Sequence, residues 1–360
     1  MTHGHVSRGR FNRIGRRLSV LVIALLPCAA FGHVKWFVNY DLLSPPRSMF
    51  SVVSSSYFML FAMLVALLVF VVSLIDDRLT RRAPTLDGRA GAVAASISKR
   101  FPLLLRLGVA AFFAAVFVYG CLHDWMILTP ELRTHSGWIC GVQLAIAVCA
   151  LGARTAVVSG IGIFFLYGFA ITQYGFFHML DYPIFLGVAA FLIVDSIYGE
   201  RKQEWAVSAV RICTAVTLLW ASIEKFAFPE WSFMLMAQRP GLALGFDPEF
   251  YMIAAGFVEF CAAFLLIAGS IAARAAALLL LAMFTSAIVP FGVIDGIGHS
   301  VIIVVLLLLI FNDNRVAQLF SVRRNDTLTA TLRTGVYVGA LLLFFVLYYA
   351  TYYLTYGIGR

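Results

Sequence analysis

The chain has 360 residues, 62% of them hydrophobic and 12% charged, against about a quarter charged in ordinary soluble proteins. With 32 phenylalanines and a mean hydropathy of +0.92, it carries more apolar surface than a core can hide. This excludes a water-soluble fold and predicts an all-α, polytopic transmembrane helical protein. The net charge of +9 requires no nucleic-acid partner, because membrane proteins gather basic residues in cytoplasmic loops.

Apolar blocks of spanning length, roughly 17 to 25 residues, number about eleven. The first, 18–36, follows Arg8, Arg10, Arg13, Arg16 and Arg17. Its Cys28-Ala29-Ala30-Phe31-Gly32 stretch also fits a cleaved signal peptide, but Val34, Trp36, Phe37 and Val38 carry the apolar character onward and favour retention. A second block, 52–75, precedes a charged connection from Arg78 to Arg100. The next four, 103–122, 137–153, 156–174 and 179–197, are joined by short loops. Four more follow at 207–226, 249–268, 271–289 and 297–312, and a last block at 334–355 comes after a basic stretch, Arg315 to Arg333. With the N-terminus in the cytoplasm, only Lys35, Arg47, Arg133, Lys225, Arg239 and Arg360 of the 27 basic residues fall on the outer side. That asymmetry predicts a multi-pass protein of a bacterial cytoplasmic (inner) membrane, its C-terminus periplasmic.

Two stretches share one plan. Arg106-Leu107-Gly108 corresponds to Arg211-Ile212-Cys213, Gln143 to Glu259, Gly152 with Arg154 to Gly269 with Arg274, and His178 to His299. Four helices return a chain to its starting side, so the plan predicts two parallel four-helix units plus extra terminal helices. The expected divisions are a two-helix region with a cytoplasmic loop (1–100), a first unit (101–200), a second unit (201–314) and a linker with a final helix (315–360). His33-Val34-Lys35-Trp36-Phe37 is also similar to Ile223-Glu224-Lys225-Phe226-Ala227, as a worn repeat fragment would be.

In the second unit, Arg211, Ser222-Ile223-Glu224-Lys225-Phe226, Gly256-Phe257-Val258-Glu259-Phe260 and the Gly269 to Arg274 turn resemble the DoxX-like membrane proteins. The resemblance covers about 105 residues well, the first unit loosely and the N-terminal helices hardly at all. It implies small four-helix modules, some of them subunits associated with thiosulfate oxidation to quinone or with thiol-redox membrane complexes. The chain departs from that pattern in being doubled, in its added helices and in having Gln143 where the second unit has Glu259.

The histidines give the chemical lead. His3 and His5 lie in the N-terminal tail, while His33, His123, His135, His178 and His299 all fall at outer helix ends. Carboxylates accompany them: Asp124 beside His123, Asp181 one turn from His178, and Asp295 one turn before His299. Such pairs orient imidazoles for a transition metal, Cu or Fe, with His33, His123, His178 and His299 as candidate ligands, or relay protons beside a quinone. Glu259, near mid-span, is the strongest single candidate, since an ionisable group there is costly unless paired or facing a cavity. It joins His178 and His299 as candidate catalytic residues, with Glu224, Gln143 and Asp181 as candidate cofactor-binding ones. Equally, polar and aromatic residues at helix ends serve as interfacial caps, and Lys35 and Lys225 have the reach to snorkel to water. Trp36, Trp125, Trp138 and Trp231 read as interfacial anchors, and the prolines between 229 and 248 as part of a roof over an outer chamber. Cys28, Cys121, Cys140, Cys149, Cys213 and Cys261 have no Cys-x-x-Cys spacing and read as core residues, with a Cys121–Cys140 disulfide as the alternative for that pair.

Three functions fit these residues. The first is a membrane redox protein or subunit with a quinone- or metal-associated site at the outer face, served by membrane lipid and a periplasmic redox partner. The second is a metal-ion permease, and the third a non-catalytic assembly or anchoring subunit, alone or as an oligomer.

Overall fold

A computed structural model describes residues 34–38, 40–41, 43–82, 89–322 and 325–357. The block at 18–36, its signal-peptide reading, His33 and Cys28 therefore lie wholly or largely outside the described residues. The described chain is all-α apart from one two-stranded hairpin. A 3-10 turn, Val34–Trp36, and a short α1 (Met49–Val53) lead into α2 (Ser56–Arg82) and α3 (Arg89–Lys99). Next come α4 (Phe101–Leu122), β1 (Trp125–Met126), β2 (Arg133–Thr134), α5 (Ile139–Leu151), α6 (Ala156–Tyr174), the single turn α7 (Phe176–Met179) and α8 (Pro183–Tyr198). The remainder is α9 (Gln203–Ala227), α10 (Pro229–Gln238), α11 (Pro248–Ala268), α12 (Ile271–Phe291), α13 (Val293–Ile310) and α14 (Asp326–Tyr356).

Among the described residues eight stretches are long and apolar enough to cross a membrane. One of them, Pro183–Ala227, is the 45-residue run of α8 and α9, broken at Gly199 (φ +54°) and a 3-10 turn. The expected block at 137–153 is a helix of only 13 residues, because the connection before it is used by the hairpin.

Helix boundaries follow local chemistry. Proline occupies the first turn of α4, α8, α10 and α11, where a missing N–H costs nothing. Asp247 caps α11 by accepting from Phe250 N (3.0 Å), and Asn325 caps α14 by accepting from Leu328 N (2.9 Å).

The order of packing is α4, α5, α6, α8, α9, α11, α12, α13, with α13 returning to α4, so eight helices close a circuit. Side chains of α4 and α8 meet inside it through Phe101–Phe191 and Phe112–Phe185. Gly187 lets α8 approach α9 closely, since a Cβ there would lie 2.6 Å from Cys213 Cβ. Outside the circuit α2 and α14 pack together and against α11. Arg106 on α4 reaches Asp195 on α8 (3.8 Å), and Arg211 on α9 reaches the carbonyls of Asn312 and Asp313 after α13 (3.2 and 3.4 Å).

Polar groups gather at both ends of the bundle. At the end holding the N-termini of α9 and α12, buried Arg333 pairs with Asp76 (2.9 Å) and Asp77 (3.2 Å). Asp76 also accepts from Ser270 N and Ala272 N, satisfying the open donors at the start of α12. The other end holds the candidate site.

Candidate functional site

The site is built around Lys35. Its ammonium, buried behind the Val34–Trp36 turn, contacts Asp181 (2.6 Å) and Glu224 (2.5 Å). Asp181 comes from the connection between α7 and α8, Glu224 from the C-terminal turn of α9. One cation thus serves two carboxylates in apolar surroundings, and the rings of Tyr40 and Trp231 lie 5.7 and 5.5 Å from it.

Beside this triad stands Glu131, carried by the β1–β2 hairpin, its side chain 2% exposed. His178 Nε2 lies 2.6 Å from its Oε1, Tyr40 donates to the same oxygen at 2.5 Å, and Tyr182 donates to Oε2. Burial by itself would raise the pKa of Glu131, but the His178 and Lys35 charges, with the donors on its oxygens, hold it well below the usual carboxylate range. Tyr40 is driven the other way by burial and by the neighbouring Glu131, so its phenol keeps its proton. The hairpin is fixed from below by Gln143, whose amide donates to Met126 O (2.5 Å) and Ile127 O (3.2 Å), and from the side by Tyr174, which donates to Arg133 O (2.6 Å).

On the other side of the turn Trp36 packs at a tilt against His299, ring centroids 4.6 Å apart, and Phe284 meets the same imidazole at 4.9 Å. Gly298 makes room for that indole, since a Cβ there would lie 2.3 Å from its ring. Asp295, one turn earlier on α13, lies 3.1 Å from His299 Nδ1. Between Trp36, Trp231 and Phe284 is a cavity of about 50 Å³, also lined by Glu224, Lys225, Glu259 and His299. Such a volume accommodates a few water molecules. Lys225 pairs with Glu259 at 2.5 Å, joining α9 to α11.

The structure thus brings Glu224, Glu259 and His299 to one cavity and places His178 and Asp181 beside it. Gln143 lies elsewhere, as the anchor of the hairpin. His123 is exposed, tilted against Tyr119 (ring centroids 4.4 Å apart), and His135 is exposed as well.

Several expectations change. Lys35 and Lys225 do not snorkel; buried carboxylates hold both. Asp181 is not the partner of His178: α7 is a single turn, after which Asp181 turns to Lys35 and leaves the imidazole to Glu131. Asp124 pairs with Arg133 (3.5 Å) rather than His123. Trp36 and Trp231 are buried cavity walls, while Trp138 keeps an exposed position. Cys121 and Cys140 are free thiols.

Among the described residues no three His, Cys, Asp or Glu side chains come together to hold a metal ion. His178 and His299 serve separate carboxylates, Glu131 and Asp295, and share none between them among the pairs described. Sequence reasoning missed Glu131, Tyr40 and Tyr182, and took Lys35 for an interfacial residue. The available signal was a lysine and several acids assigned to the same outer side of an apolar chain.

No protein-family model matches the chain, and it has no match among curated proteins or solved structures.

Proposed function

We propose that the chain is a membrane redox protein or subunit that handles protons for a quinone at the end of the bundle holding Lys35. The observation that carries this reading is a charge excess in a buried site. Five carboxylates, Glu131, Asp181, Glu224, Glu259 and Asp295, face Lys35, Lys225, His178 and His299. With every group ionised one negative charge is left over, and apolar surroundings favour holding it as a proton. Reduction of a quinone takes two electrons and two protons. The aromatic wall offers a surface for the edge of the ring, the cavity carries water, and Glu224 and Glu259 exchange the protons. The electrons come from a partner carrying its own flavin or haem.

The same proposal holds the finer architecture: two parallel four-helix units of DoxX-like kind, ten or eleven spans, a cytoplasmic N-terminus, and the Lys35 end facing the periplasm of a bacterial inner membrane. The shared placement of Arg106 with Arg211 and of His178 with His299 supports the repeat. The positive-inside count supports the orientation.

The test is titration of nanodisc-embedded protein with a short-chain quinone, read by quenching of Trp36 and Trp231, alongside quinone-linked redox activity of membranes. Saturable quenching that weakens in Glu259→Gln, with loss of activity in Glu224→Gln, is the expected result. Absence of saturable quenching, with membrane activity unchanged in both variants, overturns the reading. Glu259-dependent ion uptake into vesicles would assign the site to transport instead.

A further inference from the structure

A second pocket, of about 290 Å³, lies on the flank of the same end, between α1, the α9–α10 junction and the start of α11. Its polar lining is Arg47, Ser51, Ser55, Lys225 and Glu249. Arg47 is about one-third exposed and pairs with Glu230 (2.5 Å) and Glu249 (2.8 Å), themselves half-exposed, so this pocket belongs to the water side. That volume has room for a cluster of waters.

Among the described residues Lys225 alone lines both spaces. Its neighbours on α9 divide between them: Glu224 faces the inner cavity and Phe226 the outer pocket. The Lys225 stem therefore stands in the wall, and its ammonium reaches Glu259 on the inner side, where the carboxylate is 4% exposed. A wall made of one flexible lysine opens by rotation of that side chain without moving a helix.

We infer that the outer pocket is the aqueous port of the inner cavity and that Lys225 is its movable partition, through which water and protons reach Glu259 and Glu224. This rests on the proton-handling reading of the cavity and names its route of exchange. With Lys225 on Glu259 the way between the two spaces is closed and the carboxylate is compensated. With Lys225 swung towards Glu249 and the water side, Glu259 loses its counter-charge and takes up a proton from the port. Closing returns the lysine and releases the proton to whichever base the cavity then presents. Lys225 is a positioning residue in this scheme; the carboxylates carry the proton.

Thiol accessibility tests the partition without any redox partner. Ala221, on the inner cavity, and Ser55, on the outer pocket, are replaced separately by cysteine in the full-length protein in nanodiscs. A small water-soluble methanethiosulfonate is added, and modification of each site is followed by peptide mass mapping, with size-exclusion elution as the check on folding. Ser55→Cys is expected to react at least roughly tenfold faster than Ala221→Cys, as local opening must precede reaction at the inner site. Adding Lys225→Ala should bring Ala221→Cys close to the Ser55→Cys rate, while Lys225→Arg, which keeps the wall and the pair, should leave it slow. If Ala221→Cys reacts as fast as Ser55→Cys with Lys225 in place, or stays slow in a folded Lys225→Ala protein, the partition is refuted. Since labelling needs no quinone, this result and the quinone titration fail or succeed independently.

Discussion

Replacing Glu131 by Gln removes the charge to which His178, Tyr40 and Tyr182 all point. The amide keeps one acceptor oxygen and turns an NH₂ towards a set of groups that are themselves donors. Loss of one member of a buried charged pair costs about 3 to 5 kcal/mol, and we expect the lower part of that range, because a phenol can rotate to donate to the remaining oxygen. Acid dependence supplies the diagnostic. The pKa of Glu131 is lowered in the fold, so its contribution to stability is complete above the unfolded carboxyl value, about 4.3, and is lost as pH falls below it. The stability difference between wild type and Glu131→Gln should therefore show no loss from protonation of Glu131 itself down to about pH 5. Below that it should shrink by no more than about 1.4 kcal/mol per pH unit, the limit for one proton. Denaturant unfolding in mixed micelles, followed by tryptophan fluorescence at several pH values, measures it. A gap under about 0.5 kcal/mol at pH 7, the scatter of neutral surface substitutions, or one that widens in acid, would refute the assigned network.

At the far end of the bundle, Arg333→Leu should cost about 3 to 5 kcal/mol, since Asp76 and Asp77 are left buried without their cation. The triple variant with Asp76→Asn and Asp77→Asn should recover much of that loss in the same unfolding assay. Gln143→Glu should destabilise by about 1 to 3 kcal/mol, because a carboxylate cannot donate to Met126 O and Ile127 O. Faster amide exchange in the hairpin would localise the effect.

Much of the helical framework is legible in the sequence because membrane helices announce themselves by length. The block at 156–174 coincides with α6, and 249–268 differs from α11 by one residue. The short α5 and the hairpin before it were not legible, since Trp125, Met126, Arg133 and Thr134 carry no strand periodicity over two-residue strands. At the site, the gathering of His178, His299 and Glu224 at one end of the bundle followed from the alternation of helices, and the pairing of His299 with Asp295 from helical spacing. Long-range pairing was not accessible. Nothing local distinguishes a lysine that snorkels from Lys35, whose partner Asp181 is 146 positions away. Likewise Gln143 reads as a degenerate counterpart of Glu259, whereas its work is to hold the hairpin that presents Glu131.

That 146-residue separation also orders events during synthesis. At 5 to 20 residues per second, roughly 7 to 30 seconds pass between translation of Lys35 and of Asp181, and Glu224 comes later still. Over that interval the lysine has neither carboxylate, and the turn that carries it belongs in water or at the lipid headgroups. Only when α9 is in place do both acids stand ready, and only with α13 does the Val34–Trp36 turn find its slot against Gly298. A turn made early is thus seated late, a latch that shuts only once α9 and α13 have assembled.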